Sequence, residues 1–250
     1  MSAKITLYDI PGRVAGGAWS PSTWKTRYAL NFKGIPFDTI WVEFPDIEAI
    51  SRKLGTLPTS HRNGKPRYTL PAIHDPNTST PLAESALIAE YLDSAYPDTP
   101  KLFPPGTRPL QYAFIDAFMS HLDALWQFTT PATHAILNPP SQAHVRRTRE
   151  VAFGRKLEEI APTGAAAEEE WAKVKSGLEI VAGWQDKGKN DGSFFLGKEP
   201  VFVDFAVASF LMFMKKIWGE DSSQWRDISS WSGGRWGTLL KALEKYETAL

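Results

Sequence analysis

Apolar and polar positions alternate over residues 5–8, as in a half-buried strand, and then give way to a loop carrying Pro11, Gly12, Gly16 and Gly17. Helical spacing begins at Pro21 and runs to Lys33. Ser20 stands at the capping position, Pro21 suits a first helical turn, and Gly34 falls just past the end. Residues 37–42 read as a second strand, and residues 47–54 as a weaker helix. The stretch 60–65 is polar and predicts a loop. Residues 70–74 predict a third strand, Asp75-Pro76-Asn77-Thr78 a turn, and residues 81–83 a short return strand. From 85 to 96 the spacing is helical again, with Leu87, Ile88, Tyr91 and Leu92 on one face. The order βαβαββα describes a small α/β domain with a mixed sheet.

Beyond residue 96 the pattern changes. Pro97, Pro100, Pro104, Pro105 and Gly106 punctuate a boundary, and everything after Pro109 has helical spacing. Helices are predicted over 109–128, 142–158, 165–185, 203–218 and 238–248. Their breaks fall at Pro139-Pro140, Pro162-Thr163-Gly164, residues 187–192 and Gly233-Gly234. No repeat or low-complexity tract interrupts the series. The chain therefore divides into an α/β part (1–97), a linker (98–108) and an all-α part (109–250).

Composition narrows the function. Lys and Arg number 28 against 28 Asp and Glu, so electrostatics favours neither nucleic acid nor an anionic membrane as partner. No apolar run reaches the roughly 20 residues of a membrane span, and the start lacks the apolar core of a secretory signal, so a cytoplasmic location is expected. Cysteine is absent, which removes disulfides, thiolate-bound metals and a protein thiol nucleophile. Any sulfur chemistry must come from a ligand. Most of the 10 Trp, 7 Tyr and 14 Phe belong to a core, but such a load could also line a pocket for a flat apolar ligand.

Three places carry candidate chemistry. The glycines before residue 20 lead into neither a Gly-Lys-Ser/Thr nor a G-x-G-x-x-G pattern, so no phosphate cradle is indicated. Ser20, however, joins a hydroxyl to the unpaired N–H groups and positive dipole of a helix start, a good setting for an anion; the simpler reading is that it caps. None of the five histidines lies in a G-x-S-x-G or His-Glu-x-x-His setting, which sets aside serine hydrolases and zinc enzymes. Pro71 at the head of a strand cannot donate to the ladder, and Leu70 before it could offer its backbone to an extended ligand. Glu84-Ser85 opens a helix with a carboxylate and a hydroxyl, able to grip an amino acid's charged ends.

Together, a strand, Ser20-Pro21, Ala29-Leu30-x-x-Lys33-Gly34, Leu70-Pro71-Ala72-Ile73 and Glu84-Ser85-x-x-Ile88-x-x-Tyr91-Leu92 resemble the glutathione transferase superfamily over essentially the whole chain. Ser20-Pro21-x-x-Trp24-Lys25-Thr26-x-Tyr28-Ala29-Leu30 is similar to the etherase-like fungal-specific A (FuA) glutathione transferases and the bacterial glutathione-dependent lignin β-etherases. The resemblance implies a thioredoxin-like first domain and an all-helical second one. It implies glutathione as co-substrate, Ser20 as the catalytic hydroxyl, Pro71 as a cis-proline, Leu70 pairing with the cysteinyl backbone, and Glu84 and Ser85 holding the γ-glutamyl end. It also implies a homodimer, and small aromatic or phenolic ligands, conjugated, cleaved as ethers or merely carried. Trp19, Trp24, Phe118, Trp126 and Phe128 are the candidates for their pocket.

Two positions depart from the superfamily's pattern. Thr69 stands where many relatives place a Lys or Gln for the glycyl carboxylate, which passes that role to a nearby base, with Arg67 the choice among His61, Arg62, Lys65 and Arg67. Val201 stands where a Ser or Thr would complete a capping box with Asp204, an expected loss of about 1 kcal/mol.

Overall fold

The computed structural model describes residues 3–188 and 193–248. Strand β1 (Ile5–Asp9) points Ile5 and Leu7 into the core, and helix α1 (Pro21–Phe32) follows the glycine-rich loop. Strand β2 (Phe37–Trp41), helix α2 (Ile47–Leu54), the short strands β3 (Ser60–Arg62) and β4 (Lys65–Arg67), strands β5 (Ala72–Asp75) and β6 (Thr80–Ala83), and helix α3 (Ser85–Ala95) complete the α/β part. The main sheet runs β2-β1-β5-β6, with β1 and β2 parallel and the remaining pairs antiparallel. On α3 the buried face is Ile88, Ala89 and Leu92, whereas Leu87 is 47% exposed.

The polar stretch at 60–65 departs from the loop expected there. Strands β3 and β4 form a separate antiparallel hairpin closed by Asn63 and Gly64, whose φ angles are 52° and 72°. Asn-Gly is the dipeptide that a two-residue hairpin turn with both φ angles positive demands.

Helix α1 is buried on almost every side: Thr23, Trp24, Arg27, Tyr28, Leu30 and Phe32 are all buried. Its packing explains this, since it touches both α3 and α8 (Phe202–Trp218), the core helix of the second part. At its heart Arg27 Nε donates to Asp9 Oδ2 at 2.7 Å with both side chains fully buried. Asp9 also accepts the Ile10 N–H at 2.7 Å, and Arg27 donates to Thr39 Oγ1 at 3.0 Å. Burial pushes the Asp9 carboxyl up and the Arg27 charge opposes it. The pair ties the end of β1 to α1 and so sets where the intervening loop can run.

The second part is helical: α4 (Arg108–Ser120), α5 (Leu125–Ile136), α6 (Pro139–Phe153), α7 (Gly164–Lys187), α8 and α9 (Ser223–Leu243). The single helix expected over 109–128 is two helices, separated at residues 121–124. No Gly or Pro marks that break. It coincides with a close approach to α7, where a Cβ on Gly177 would lie 2.2 Å from the His121 carbonyl oxygen. Helix α9 begins earlier than expected, capped by Ser222 Oγ, which accepts the Trp225 N–H at 3.1 Å. Residues Trp231 to Gly234 leave helical geometry within it, so the break expected at Gly233-Gly234 is present as a kink between two helical stretches. Of the break expected at 187–192, residues 189–192 lie outside the described residues.

In the first turn of α8, Asp204 accepts N–H bonds from Val201 and Phe195, both at 2.9 Å. Val201 offers no side-chain oxygen in return, but the Asp204 N–H donates to the Val201 carbonyl at 3.0 Å, so the helix start keeps no orphan at that position. No helix among the described residues is long and apolar enough to cross a membrane.

The two parts are stitched together. The Arg13 N–H donates to the Ile136 carbonyl at 2.6 Å, and the Arg13 guanidinium to the Ala135 carbonyl at 2.7 Å. Glu43 accepts from Asn138 Nδ2 at 2.8 Å and from Ser141 Oγ, while the Phe44 N–H donates to Ser141 Oγ at 2.9 Å. At the chain's far end, Tyr28 OH donates to Glu247 at 3.1 Å and Asn31 Nδ2 to the carbonyls of Tyr246 and Thr248.

Candidate active site

Ser20 occupies the N-cap position of α1 in extended backbone geometry, with Pro21 following it. Its hydroxyl makes no capping bond and has no hydrogen-bond partner among the described residues. Simple capping therefore does not account for this side chain. Ser20 is only 5% exposed, and what it exposes faces a cavity of about 550 Å³ between the α/β part and helices α5, α6 and α8. That size falls within the range of small-ligand pockets. The loop before Ser20 is shaped for it: the backbone of Gly12 lies so close to the Trp19 ring that a Cβ there would sit 2.4 Å from Trp19 Cδ1.

Leu70 also lines the cavity and is joined to Pro71 by a cis peptide bond. Leu70 precedes β5, and neither its N–H nor its carbonyl has a backbone partner among the described residues. Pro71 is off the cavity wall, and its carbonyl accepts the Glu84 N–H at 3.3 Å. This bond brings Glu84 and Ser85, at the start of α3, beside the Leu70-Pro71 turn without making them part of the wall. Glu84 has φ 82° and ψ 121°, a conformation that a residue with a Cβ adopts only where its surroundings hold it. Its carboxylate accepts the N–H groups of Ala86 at 3.2 Å and Leu87 at 3.1 Å. Nearby, burial pushes the Lys25 ammonium down, and the Glu84 charge acts in the opposite direction.

The aromatic candidates separate. Trp19 and Trp126 line the cavity. Trp24, Phe118 and Phe128 do not, which corrects the expectation for all three. Trp24 is buried against Tyr28, ring centroids 5.2 Å apart, because its position on α1 faces the core. Phe118 packs edge-on to Phe210 at 5.6 Å and belongs to α4, whereas Trp126 and Phe128 belong to α5. Phe128 turns instead to Trp171 at 5.2 Å, part of a cluster with Trp218 and Trp231.

Arg67 and Thr69 both reach the cavity, and Thr69 Oγ1 is 2.8 Å from Thr59 Oγ1. Sequence reasoning missed several wall residues. Phe44 and Pro45, in a single 3-10 turn between β2 and α2, form a roof against α6, where the Phe44 ring stacks on His144 with centroids 5.9 Å apart. Thr129 and Thr133 come from one face of α5, and His144, Thr148, Val145 and Arg149 from one face of α6. The i, i+4 spacings within those sets were the available signal, hidden because the cavity-facing positions are polar. Phe213 of α8 closes the end near Trp19, ring centroids 6.0 Å apart. No group of residues able to hold a metal ion occurs among the described residues.

Comparison with known proteins places this geometry among relatives. A family described as "Glutathione S-transferase, N-terminal domain" matches residues 19–95, and one described as "Glutathione S-transferase, C-terminal domain" matches residues 109–246. The chain is similar to the glutathione S-transferase-like protein ustS of Aspergillus flavus, at 30% identity over 96% of this chain and 90% of that protein. Among solved structures it resembles the glutathione S-transferase CsGST63524 of Ceriporiopsis subvermispora, crystallised in complex with glutathione, at 46% identity and a TM-score of 0.95, covering 98% of both chains. The glutathione transferase GSTFuA3 of Phanerochaete chrysosporium is also similar, at 38% identity and a TM-score of 0.93 over 99% of both.

Proposed function

The chain belongs to the glutathione S-transferase family, and on that premise we propose that it is a transferase of the serine type, taking glutathione as co-substrate and aromatic or phenolic electrophiles as acceptors. The observation that carries this reading is the Ser20 hydroxyl, at a helix start, unengaged and facing a cavity. A free thiol has a pKa near 8.5, so only a few per cent is thiolate at neutral pH. A hydroxyl donating to the sulfur, beside the positive end of α1, favours the thiolate. Lowering the thiol by two units requires about 2.7 kcal/mol, within reach of one charge-assisted hydrogen bond and a dipole contribution.

The remaining roles follow the same logic. The Leu70 N–H and carbonyl, free of the sheet ladder, suit an extended peptide backbone laid alongside as an added strand. Glu84 and Ser85 take the γ-glutamyl end, and Arg67 the glycyl carboxylate. Trp19 and Trp126 offer aromatic faces to the acceptor. Attack by the sulfur forms a carbon–sulfur bond and expels the acceptor's leaving group with its electron pair. For an aryl ether that group is a phenolate. Residues 1–97 act as the glutathione-binding part and 109–250 as the part completing the acceptor pocket, with 98–108 the linker. A homodimer belongs to this reading, and light scattering on the eluted protein measures it.

Steady-state conjugation of a chromogenic electrophile by wild type and Ser20→Ala tests the proposal. The expected loss in kcat/KM at neutral pH is roughly ten- to a hundredfold, the equivalent of about 1.4 to 2.7 kcal/mol. The absorbance of bound thiolate should move to higher pH in the variant. Because the chain has no cysteine, that signal belongs to the ligand alone. Equal turnover in both proteins sinks the role of Ser20, and negligible turnover in both favours storage or carriage of aromatic compounds over catalysis.

A further inference from the structure

Two arginines on the cavity wall have no counterion among the described residues. Arg67 ends the β3–β4 hairpin of the α/β part, and Arg149 lies on the cavity-facing side of α6 in the helical part. Neither guanidinium makes an ion pair or hydrogen bond among the described residues. The contrast within α6 is informative. Arg146 takes both nearby carboxylates, Glu150 at 3.1 Å and Glu158 at 2.7 Å, while Glu150 also accepts the Leu157 N–H at 3.1 Å. Neither Arg146 nor those two carboxylates lines the cavity. Glu48, the acidic residue on the cavity wall, is paired with Arg52 at 2.9 Å.

The charges that act on Arg149 are of its own sign. Burial holds its guanidinium below the usual value, and Arg67 and then Arg62 push in the same direction. The His144 imidazole beside it is lowered by burial and by Arg147, Arg149 and Arg67. Its Nδ1 is buried without a partner. Arg149 is half-buried and Arg67 exposed, so it is on Arg149 that like charge without a compensating carboxylate weighs, and an anion entering the cavity between them relieves it.

We propose that Arg67 and Arg149 form an anion clamp across the two parts of the chain, and that the group it takes is a carboxylate of the bound ligand. Planar guanidinium forks match a carboxylate's two oxygens, which a lysine's point charge would not. That carboxylate has two sources: the glycyl end of glutathione, in which case the clamp rests on the reading above and adds Arg149 to it, or an acidic group on the aromatic acceptor, which needs no glutathione.

Calorimetric titration of the intact protein separates these. One pair of probes is glutathione and its glycyl monoethyl ester. The other is 2-naphthoate and 2-naphthamide, titrated without glutathione. In wild type the clamp predicts at least tenfold tighter binding of the acid in one pair. In Arg149→Gln and in Arg67→Gln that preference should fall to within about twofold, while Arg149→Lys retains part of it. Loss confined to the first pair assigns the glycyl source, and loss confined to the second assigns the acceptor. An unchanged acid preference in both glutamine variants, or no acid preference in wild type for either pair, overturns the clamp. Absence of glutathione binding to wild type would defeat the glutathione reading while leaving the naphthoate pair to decide the clamp. Near-ultraviolet circular dichroism of each variant shows that packing is retained.

Discussion

At residue scale, the turn that presents Ser20 depends on a side chain that is missing. Gly12 lets the loop backbone lie against the Trp19 ring, and Trp19 is both neighbour to Ser20 and part of the cavity wall. Gly12→Ala would place a methyl carbon 2.4 Å from Trp19 Cδ1, far inside contact distance, so ring or loop must move. The expected result is a destabilisation of about 1–3 kcal/mol, read by urea denaturation. A drop in kcat/KM should accompany it, larger than that of an equally destabilising change elsewhere. A variant losing stability with undiminished activity would show that Trp19 repacks away from the cavity. Glu84 presents the opposite case. Its positive φ is a conformation in which glycine would be at ease, yet its carboxylate caps α3, and Glu84→Gly would relieve the backbone at the expense of both cap bonds.

At the scale of elements, the start of α8 shows how an acid can be held in an apolar surround. Burial pushes the Asp204 carboxyl up to about 7, against the pull of the Val201 and Phe195 N–H groups. Unfolded, the group titrates near 3.9. Between those values the folded protein binds more protons than the unfolded one. The stabilising contribution is therefore complete at acid pH and is lost as pH rises through about 7. Against Asp204→Asn, which does not titrate, the wild-type urea midpoint should lose ground steadily from pH 5 to pH 8. A gap that widened with pH would mean that the N–H bonds outweigh burial. The elements themselves were legible where punctuation agreed with spacing: Ser20-Pro21 and Gly34 bracket α1, whereas the double proline at 139–140, expected as a break, forms the first turn of α6. They were illegible where tertiary contact decided. The gap between α4 and α5 answers to Gly177 on another helix; the β3–β4 hairpin, by contrast, had a local signal in Asn63-Gly64 that its otherwise polar surroundings concealed.

At the scale of the whole molecule, the cavity is a joint product of both parts, and that is why its far wall escaped sequence reasoning. Ser20 and Leu70 announce themselves by local chemistry, whereas His144 and Arg149 acquire meaning only once α6 is folded beneath the Phe44 turn. The latch that holds this turn down runs through Ser141, whose hydroxyl donates to Glu43 and accepts from the Phe44 N–H. Ser141→Ala would leave a carboxylate and an amide short of a partner, with an expected loss of about 1–3 kcal/mol. Ligand affinity should weaken through faster dissociation, because the roof is freed while the walls stay in place. Stopped-flow release kinetics checks this, and an unaltered off-rate would show that the latch serves stability alone. The β3–β4 hairpin stands in contrast to such stitching. It is a two-stranded unit outside the main sheet, yet it carries Arg67 into the wall. Sequence drift there can alter ligand preference while the core remains intact, which makes those eight positions, 60–67, the natural graft point for building transferases of new selectivity on this scaffold.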